Sequence, residues 1–167
     1  MPTVIRRLEL SDLPAYRLVR LEALQRHPEA FLSAYEDEAA EALDTYKRMI
    51  AVPPSATFGC FIDDRLMGIA GLIVSPRAKI RLKGTIVGVY VQPSGRGRGL
   101  ARQLMNTAIA EARRVGVDTL LLTVTVGNDA AERLYLGLGF RRYGVEQRAL
   151  RIDARYFDEA LMDLRLD

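Results

Sequence analysis

The chain has 167 residues, 49% hydrophobic and 27% charged, with a formal net charge of +3. That length supports one domain spanning residues 1–167, and the balance excludes a disordered or fibrous chain. One cysteine, Cys60, and one histidine, His27, exclude an internal disulfide and leave no metal centre or Ser-His-Asp triad to expect. The first residues carry no leader-like apolar core, and the longest apolar run, Leu66 to Val74, is far shorter than a bilayer requires. A soluble, cytoplasmic protein without a membrane partner is expected. The positive charge comes from scattered arginines, which an anionic ligand explains as well as nucleic acid does; no nucleic-acid partner is expected.

Thr3 to Leu8 reads as a short edge strand, and Ser11, Asp12 and Pro14 signal a helix running to about Arg26. Leu13, Tyr16, Leu18, Val19, Leu21 and Leu24 cover a wide arc of it, enough to meet a sheet and a neighbouring helix. His27 precedes Pro28 where this helix must end, which gives it a capping or surface role. Ala34 to Ala51 reads as a second helix opening on Glu36, Asp37 and Glu38. That acidic run is either a solvated helix start or a patch for a cationic amine, and charge runs more often face water. Ala56 to Ile62 and Leu66 to Val74 form a hairpin, with Cys60 as a buried small hydrophobe. Ser75 to Gly84 is a basic loop or strand extension.

Thr85 to Gln92 is a β-branched strand that gives way to Pro93 and then to Gly95, Gly97 and Gly99 alternating with Arg96 and Arg98. A helix follows, with Leu100, Leu104, Ala108, Ile109, Ala112 and Val115 at helical spacing and Gly116 at its end. Thr119 to Val126 reads as a strand buried on both faces, parallel to Thr85–Gln92. Asn128 caps a short helix that ends at Gly139, and strands at about Phe140–Leu150 and Tyr156–Leu166 close the chain. The reading is α/β (α+β): a mixed sheet of six or seven strands with about four helices.

A strand, a glycine turn and a helix start together make an anion site, since glycine lets a phosphate approach and the first helical amides are unpaired. A P-loop needs a lysine and a hydroxyl where Leu100 and Ala101 stand. A dinucleotide fingerprint fits in no register, because its last position falls on Leu100 or Arg102, and Asp118 lies before the next strand rather than at its end.

Arg96, Gly99 and Ala101 do fit R-x-x-G-x-A, which resembles the acyl-CoA motif [QR]-x-x-G-x-[GA] of the GNAT superfamily of N-acetyltransferases. Asn128, Ala131 and Tyr135, followed by Leu138-Gly139-Phe140, resemble that family's second motif, N-x-x-A-x-x-x-Y, and the layout of the whole chain is similar. The resemblance implies acetyl-CoA as co-substrate, held by Arg96, Gly97, Arg98, Gly99, Leu100 and Ala101 at the pyrophosphate and by Asn128. It implies that the pantetheine arm lies between two splayed strands, that Val89 to Val91 polarise the thioester, and that Tyr135 is the acid for the leaving thiolate. An amine acceptor, small molecule or protein, completes the reaction. The alternative is a non-catalytic acyl-CoA-binding or regulatory module, since no acidic residue occurs between Arg65 and Ala110 to serve as base. Glu22 is the candidate base, with Glu36 and Glu146 behind it. Tyr90 is well placed, though its direction on the strand could equally bury it. Tyr135 without its motif would read as a packed helix residue. A monomer and a homodimer both remain open.

Overall fold

Strands β1 (Thr3–Arg7), β2 (Ala56–Ile62), β3 (Arg65–Val74), β4 (Lys83–Val91), β5 (Thr119–Thr125), β6 (Arg141–Ile152) and β7 (Arg155–Arg165) form one sheet, in the order β1-β2-β3-β4-β5-β7-β6. The computed structural model describes residues 2–50 and 52–167. Every neighbouring pair is antiparallel except β4 and β5, whose parallel connection needs a crossover helix. Helix α4 (Leu100–Arg114) supplies it.

Two apolar layers hold the sheet. On one face, Leu104, Met105 and Ala108 of α4 pack with Ala70, Leu72, Leu120 and Met162, and the short helix α5 (Asp129–Gly137) adds Tyr135. On the other, Tyr16, Val19 and Ala23 of α1 (Leu13–Arg26) pack with Phe61, Leu66, Ile69 and Tyr90. β2 is buried at every position because both layers reach it. Among the described residues, no helix is long and apolar enough to cross a membrane.

The segment read as one helix over Ala34–Ala51 is instead broken into α2 (Tyr35–Ala39), a 3-10 turn at Leu43–Tyr46 and α3 (Lys47–Ile50); Ala51 lies outside the described residues. Side chains, one of them from α1, take the carbonyls at the break. Arg17 donates to Ala39 O at 3.0 Å, and the Tyr46 hydroxyl donates to Glu38 O at 2.8 Å. The bend carries Tyr46 and Ile50 into the core, beneath α1. Glu36 and Asp37 face water, but Glu38 does not: it is buried against Arg20.

β5 also departs from expectation. Leu120, Leu122 and Val124 are buried beneath α4, while Thr123 on the opposite face is exposed, because the layer of α1 does not extend that far across the sheet. Leu18 is 71% exposed, so the apolar arc of α1 is narrower than its sequence suggests. β4 begins at Lys83, two residues before the expected start, and the final hairpin runs longer, through Ile152 and from Arg155.

Cys60 is fully buried, and burial pushes its thiol up to about 11. The native protein should therefore consume no thiol reagent at pH 8 over minutes and one equivalent when unfolded in guanidinium. Fast labelling of the native state would contradict this packing.

Candidate functional site

The site grows from a one-residue irregularity in β4. Gly71 pairs with Val87 and Ile69 with Tyr90, so Gly88 and Val89 together oppose the single residue Ala70. This is a β-bulge, and Gly88 adopts φ +61°, a left-handed conformation that glycine enters without a side-chain clash. Past the bulge the alternation is reversed. Ile86 and Val91 lie in the α4 layer while Tyr90 lies in the α1 layer.

At the same level the parallel pair opens. β4 and β5 are paired at Lys83/Thr119, Gly84/Leu120 and Thr85/Leu121, although β4 continues to Val91 and β5 to Thr125. Backbone beyond Thr85 and Leu121 is thus parted into a wedge whose edges can hydrogen-bond an inserted chain of amides.

The glycine turn stands at the mouth of this wedge. Gly97 and Gly99 have φ +76° and +71°, and a Cβ at either would meet nothing within 4 Å. Gly99 is the N-cap of α4 and contributes no side chain to the first helical amides; the Gln103 amide is bonded to Gly99 O at 3.1 Å. Leu100 anchors the turn in the core, and Ala101 is half-buried beside it. The result is a helix start with open space at its glycines and no side chain over its first amides, an arrangement that suits a pyrophosphate. Arg98 is exposed, whereas Arg96 folds back: its Nε donates to Val91 O at 3.1 Å and its Nη2 lies 3.1 Å from His27 Nε2. His27, which caps the C-terminus of α1, thus also meets the turn.

Glu22, from α1, reaches the end of β4. Its carboxylate accepts from the Tyr90 hydroxyl at 2.8 Å and from Gln92 Nε2 at 2.6 Å, with Arg26 Nε at 3.3 Å. The reversal at the bulge is what turns Tyr90 toward Glu22. Burial, followed by the Glu22 contact, pushes the Tyr90 phenol up to about 12.

On the α4 side, the Asn128 side-chain oxygen accepts from the Ala131 amide at 3.3 Å, so it caps α5 as its sequence suggests. Tyr135 projects from α5 into the core edge-on to Phe140, with ring centroids 6.0 Å apart. Its hydroxyl makes no hydrogen bond among the described residues, and burial alone pushes it up to about 12. Of the other acids, Glu36 is exposed on α2 and Glu146 is exposed on β6.

Two groups near the wedge went unnoticed in the sequence. Arg20 of α1 donates through Nε (3.0 Å) and Nη2 (2.7 Å) to Glu38, and its Nη1 lies 3.2 Å from where a Gly88 Cβ would be. Glu159 of β7 is buried at 5% exposure opposite Thr125 of β5 and Glu146 of β6. Burial, with Glu146 adding to it and Thr123 opposing, raises the Glu159 carboxyl above its ordinary value. Only the period of its strand could have hinted that Glu159 points inward, and nothing local marked Arg20.

Residues 17–140 match the acetyltransferase (GNAT) family. The chain is 33% identical to a mycothiol acetyltransferase of Thermobispora bispora over 85% of its own length and 54% of that protein. It is 38% identical to N-alpha-acetyltransferase 30 of Saccharomyces cerevisiae over 41% of itself and 39% of that protein. The chain thus spans about half the length, or less, of these relatives. Among solved structures, an N-acetyltransferase from Staphylococcus aureus superposes with a TM-score of 0.82 at 22% identity, covering 100% of both chains. A Salmonella typhimurium protein solved with its cofactor acetyl-CoA superposes with a TM-score of 0.81 at 22% identity, covering 100% of this chain and 95% of that one. Motif, fold and family match agree: the chain belongs to the GNAT acetyltransferase family.

Proposed function

We propose that the protein transfers an acetyl group from acetyl-CoA to a primary amine by direct attack in a ternary complex. The observation that carries this reading is the wedge between β4 and β5 with the glycine turn at its mouth. A pyrophosphate fits the amides from Gly97 to Ala101, and an amide-bearing arm fits the parted strands. The printed names of the relatives, and the acetyl-CoA in the Salmonella structure, support acetyl as the group carried.

The residues divide the work. Arg96, Gly97, Arg98, Gly99, Leu100 and Ala101 form the phosphate cradle, and Asn128 fixes the start of α5 beside it. The backbone of Val89 and Val91 faces the thioester carbonyl, where negative charge develops on attack. Glu22, through Tyr90, takes the proton that the ammonium must lose before its lone pair is available. The C–N bond then forms, the C–S bond breaks, and Tyr135 protonates the leaving thiolate. The second amine proton leaves as the adduct collapses to the amide, so one acetyl-CoA and one ammonium give one amide, one thiol and one released proton.

Calorimetric titration with acetyl-CoA tests the first half of this reading, and no heat at millimolar ligand would overturn it. Gly99→Val should weaken binding at least tenfold. The left-handed backbone costs a residue with a Cβ about 1–2 kcal/mol, and the branched side chain would fill the space that a phosphate must enter. Binding without turnover across an amine panel would indicate a non-catalytic acyl-CoA module.

A further inference from the structure

Gly88 and Val89 lack a full ladder on either edge of β4. On the β3 side the two share a single residue, Ala70, and on the β5 side the pairing has already ended at Thr85. Backbone at such a bulge keeps its shape through what packs on its two faces. On one face Val89 packs against the α4 layer. On the other stands Arg20, whose Nη1 is 3.2 Å from where a Cβ of Gly88 would be. Among the described residues Nη1 makes no hydrogen bond, so Arg20 meets the bulge by packing.

The guanidinium that leans on the bulge is itself held. Its Nε and Nη2 donate to the Glu38 carboxylate at 3.0 and 2.7 Å, a fork that fixes both the plane and the rotation of the group. Phe31 lies over it, with the guanidinium carbon 5.2 Å from the ring centroid. Glu38 is anchored in turn, since the Tyr46 hydroxyl donates to its carbonyl oxygen at 2.8 Å and Tyr46 is buried in the core. A buried ion pair adds little stability over an apolar pair of the same volume, whereas a bidentate fork adds geometric specificity. The geometry fixed here is the clearance beside Gly88.

We propose that Arg20, locked by Glu38, is a positioning residue for the acyl group: it holds the bulge in the form that presents the backbone of Val89 and Val91 to the thioester carbonyl, and touches neither cofactor nor acceptor. This rests on the acetyl-transfer reading and deepens it by placing control of the carbonyl's polarisation in the contact between α1 and α2.

The test reads that carbonyl directly, by isotope-edited infrared spectroscopy of acetyl-CoA labelled at its thioester carbonyl and bound to the full chain, with the Kd of acetyl-CoA measured by calorimetry. In the wild type the bound carbonyl should absorb at lower frequency than in free acetyl-CoA, because donors aimed at its oxygen weaken the C=O bond. Arg20→Met with Glu38→Leu leaves no buried charge unpaired and lies apart from the phosphate cradle, so it should bind acetyl-CoA within about threefold of the wild type while losing most of that shift. For any amine that the wild type acetylates, kcat should fall about 100-fold with the KM for acetyl-CoA little changed, as a small misplacement far from the chemistry produces. Arg20→Lys keeps the charge beside Glu38 but presents no second edge to Gly88, and it should lose the shift in the same way if the double variant folds poorly. Variants that keep the full shift and kcat, whatever their stability, would overturn the inference and leave Arg20 and Glu38 as a structural pair. A loss of acetyl-CoA affinity as large as the loss of kcat would move Arg20 into the cofactor cradle and also overturn it, as would a wild-type carbonyl at the frequency of free acetyl-CoA. Failure of the wild type to bind acetyl-CoA would overturn the acetyl-transfer reading and this inference with it. A shift that the variants lose, without turnover of any amine, would overturn amine transfer alone.

Discussion

Tyr135→Phe should lower kcat about 100-fold, the lower end of what a positioned general acid contributes, while leaving the affinity for acetyl-CoA and the melting temperature nearly unchanged. The structure makes this separation clean. The Tyr135 hydroxyl makes no hydrogen bond among the described residues, so removing it orphans no partner and costs little stability. A tyrosine that merely packed against Phe140 would give a phenylalanine variant with full activity, and that result would remove Tyr135 from the reaction. Because burial holds the phenol at about 12, it stays protonated over the whole useful pH range, and the activity loss should be uniform with pH. Stability follows the opposite logic at high pH. A phenol raised above its unfolded value near 10 contributes stability that is fully present below that value and is lost as pH climbs toward 12. The phenylalanine variant should therefore lose less stability than the wild type in alkaline unfolding titrations.

Glu38→Ala should cost about 3 kcal/mol of folding stability, read as a shift in the denaturant midpoint at constant slope, because it leaves the Arg20 guanidinium buried without its counter-ion. Glu36→Ala, two residues away and exposed, should change stability by less than about 0.5 kcal/mol. Replacing both members of the buried pair, as Arg20→Met with Glu38→Leu, should recover much of the loss, since no charge is then left unpaired. Equal effects at positions 36 and 38 would return the whole acidic run to the solvent.

The contrast between Glu36 and Glu38 shows how far a single sequence can be read. The glycine turn was legible as a turn because its signal is local: alternating glycines after a strand and before an amphipathic helix. Asn128 was legible as a cap, while Tyr135 stood out only through the family resemblance; the structure sets Asn128 as the cap of α5 and Tyr135 in the core against Phe140. The helix over Ala34–Ala51 was misjudged because what breaks it comes from α1, through Arg17, and from Tyr46 folding back onto Glu38 O. No propensity within the segment announces those bonds. Glu22 was picked for want of another acid, and the structure brings it to Tyr90 and Gln92 across 68 and 70 positions of chain. Arg20 and Glu159 were invisible for a related reason: each owes its place to an element distant in sequence. The exposure of Thr123 on β5 was missed because the reach of the α1 layer across the sheet is a tertiary property that a run of Leu, Val and Thr does not encode.

Gly88 has a consequence for how this chain can vary in length. A strand is a two-state counter, each residue assigning the next to the other side, and the bulge adds one count. Removing one of the two bulge residues, Gly88 or Val89, would set the one that remains opposite Ala70 and leave Tyr90 opposite Ile69, so Tyr90 would keep its direction toward Glu22. What such a deletion would take away is the extra backbone at the bulge, against which Arg20 Nη1 lies. Straightening the bulge at constant length would do the reverse: Tyr90 would swing into the α4 layer and Val91 would take its place under α1, with the composition of β4 untouched. The direction of Tyr90 is thus kept by the pairing across the bulge rather than by any one side chain.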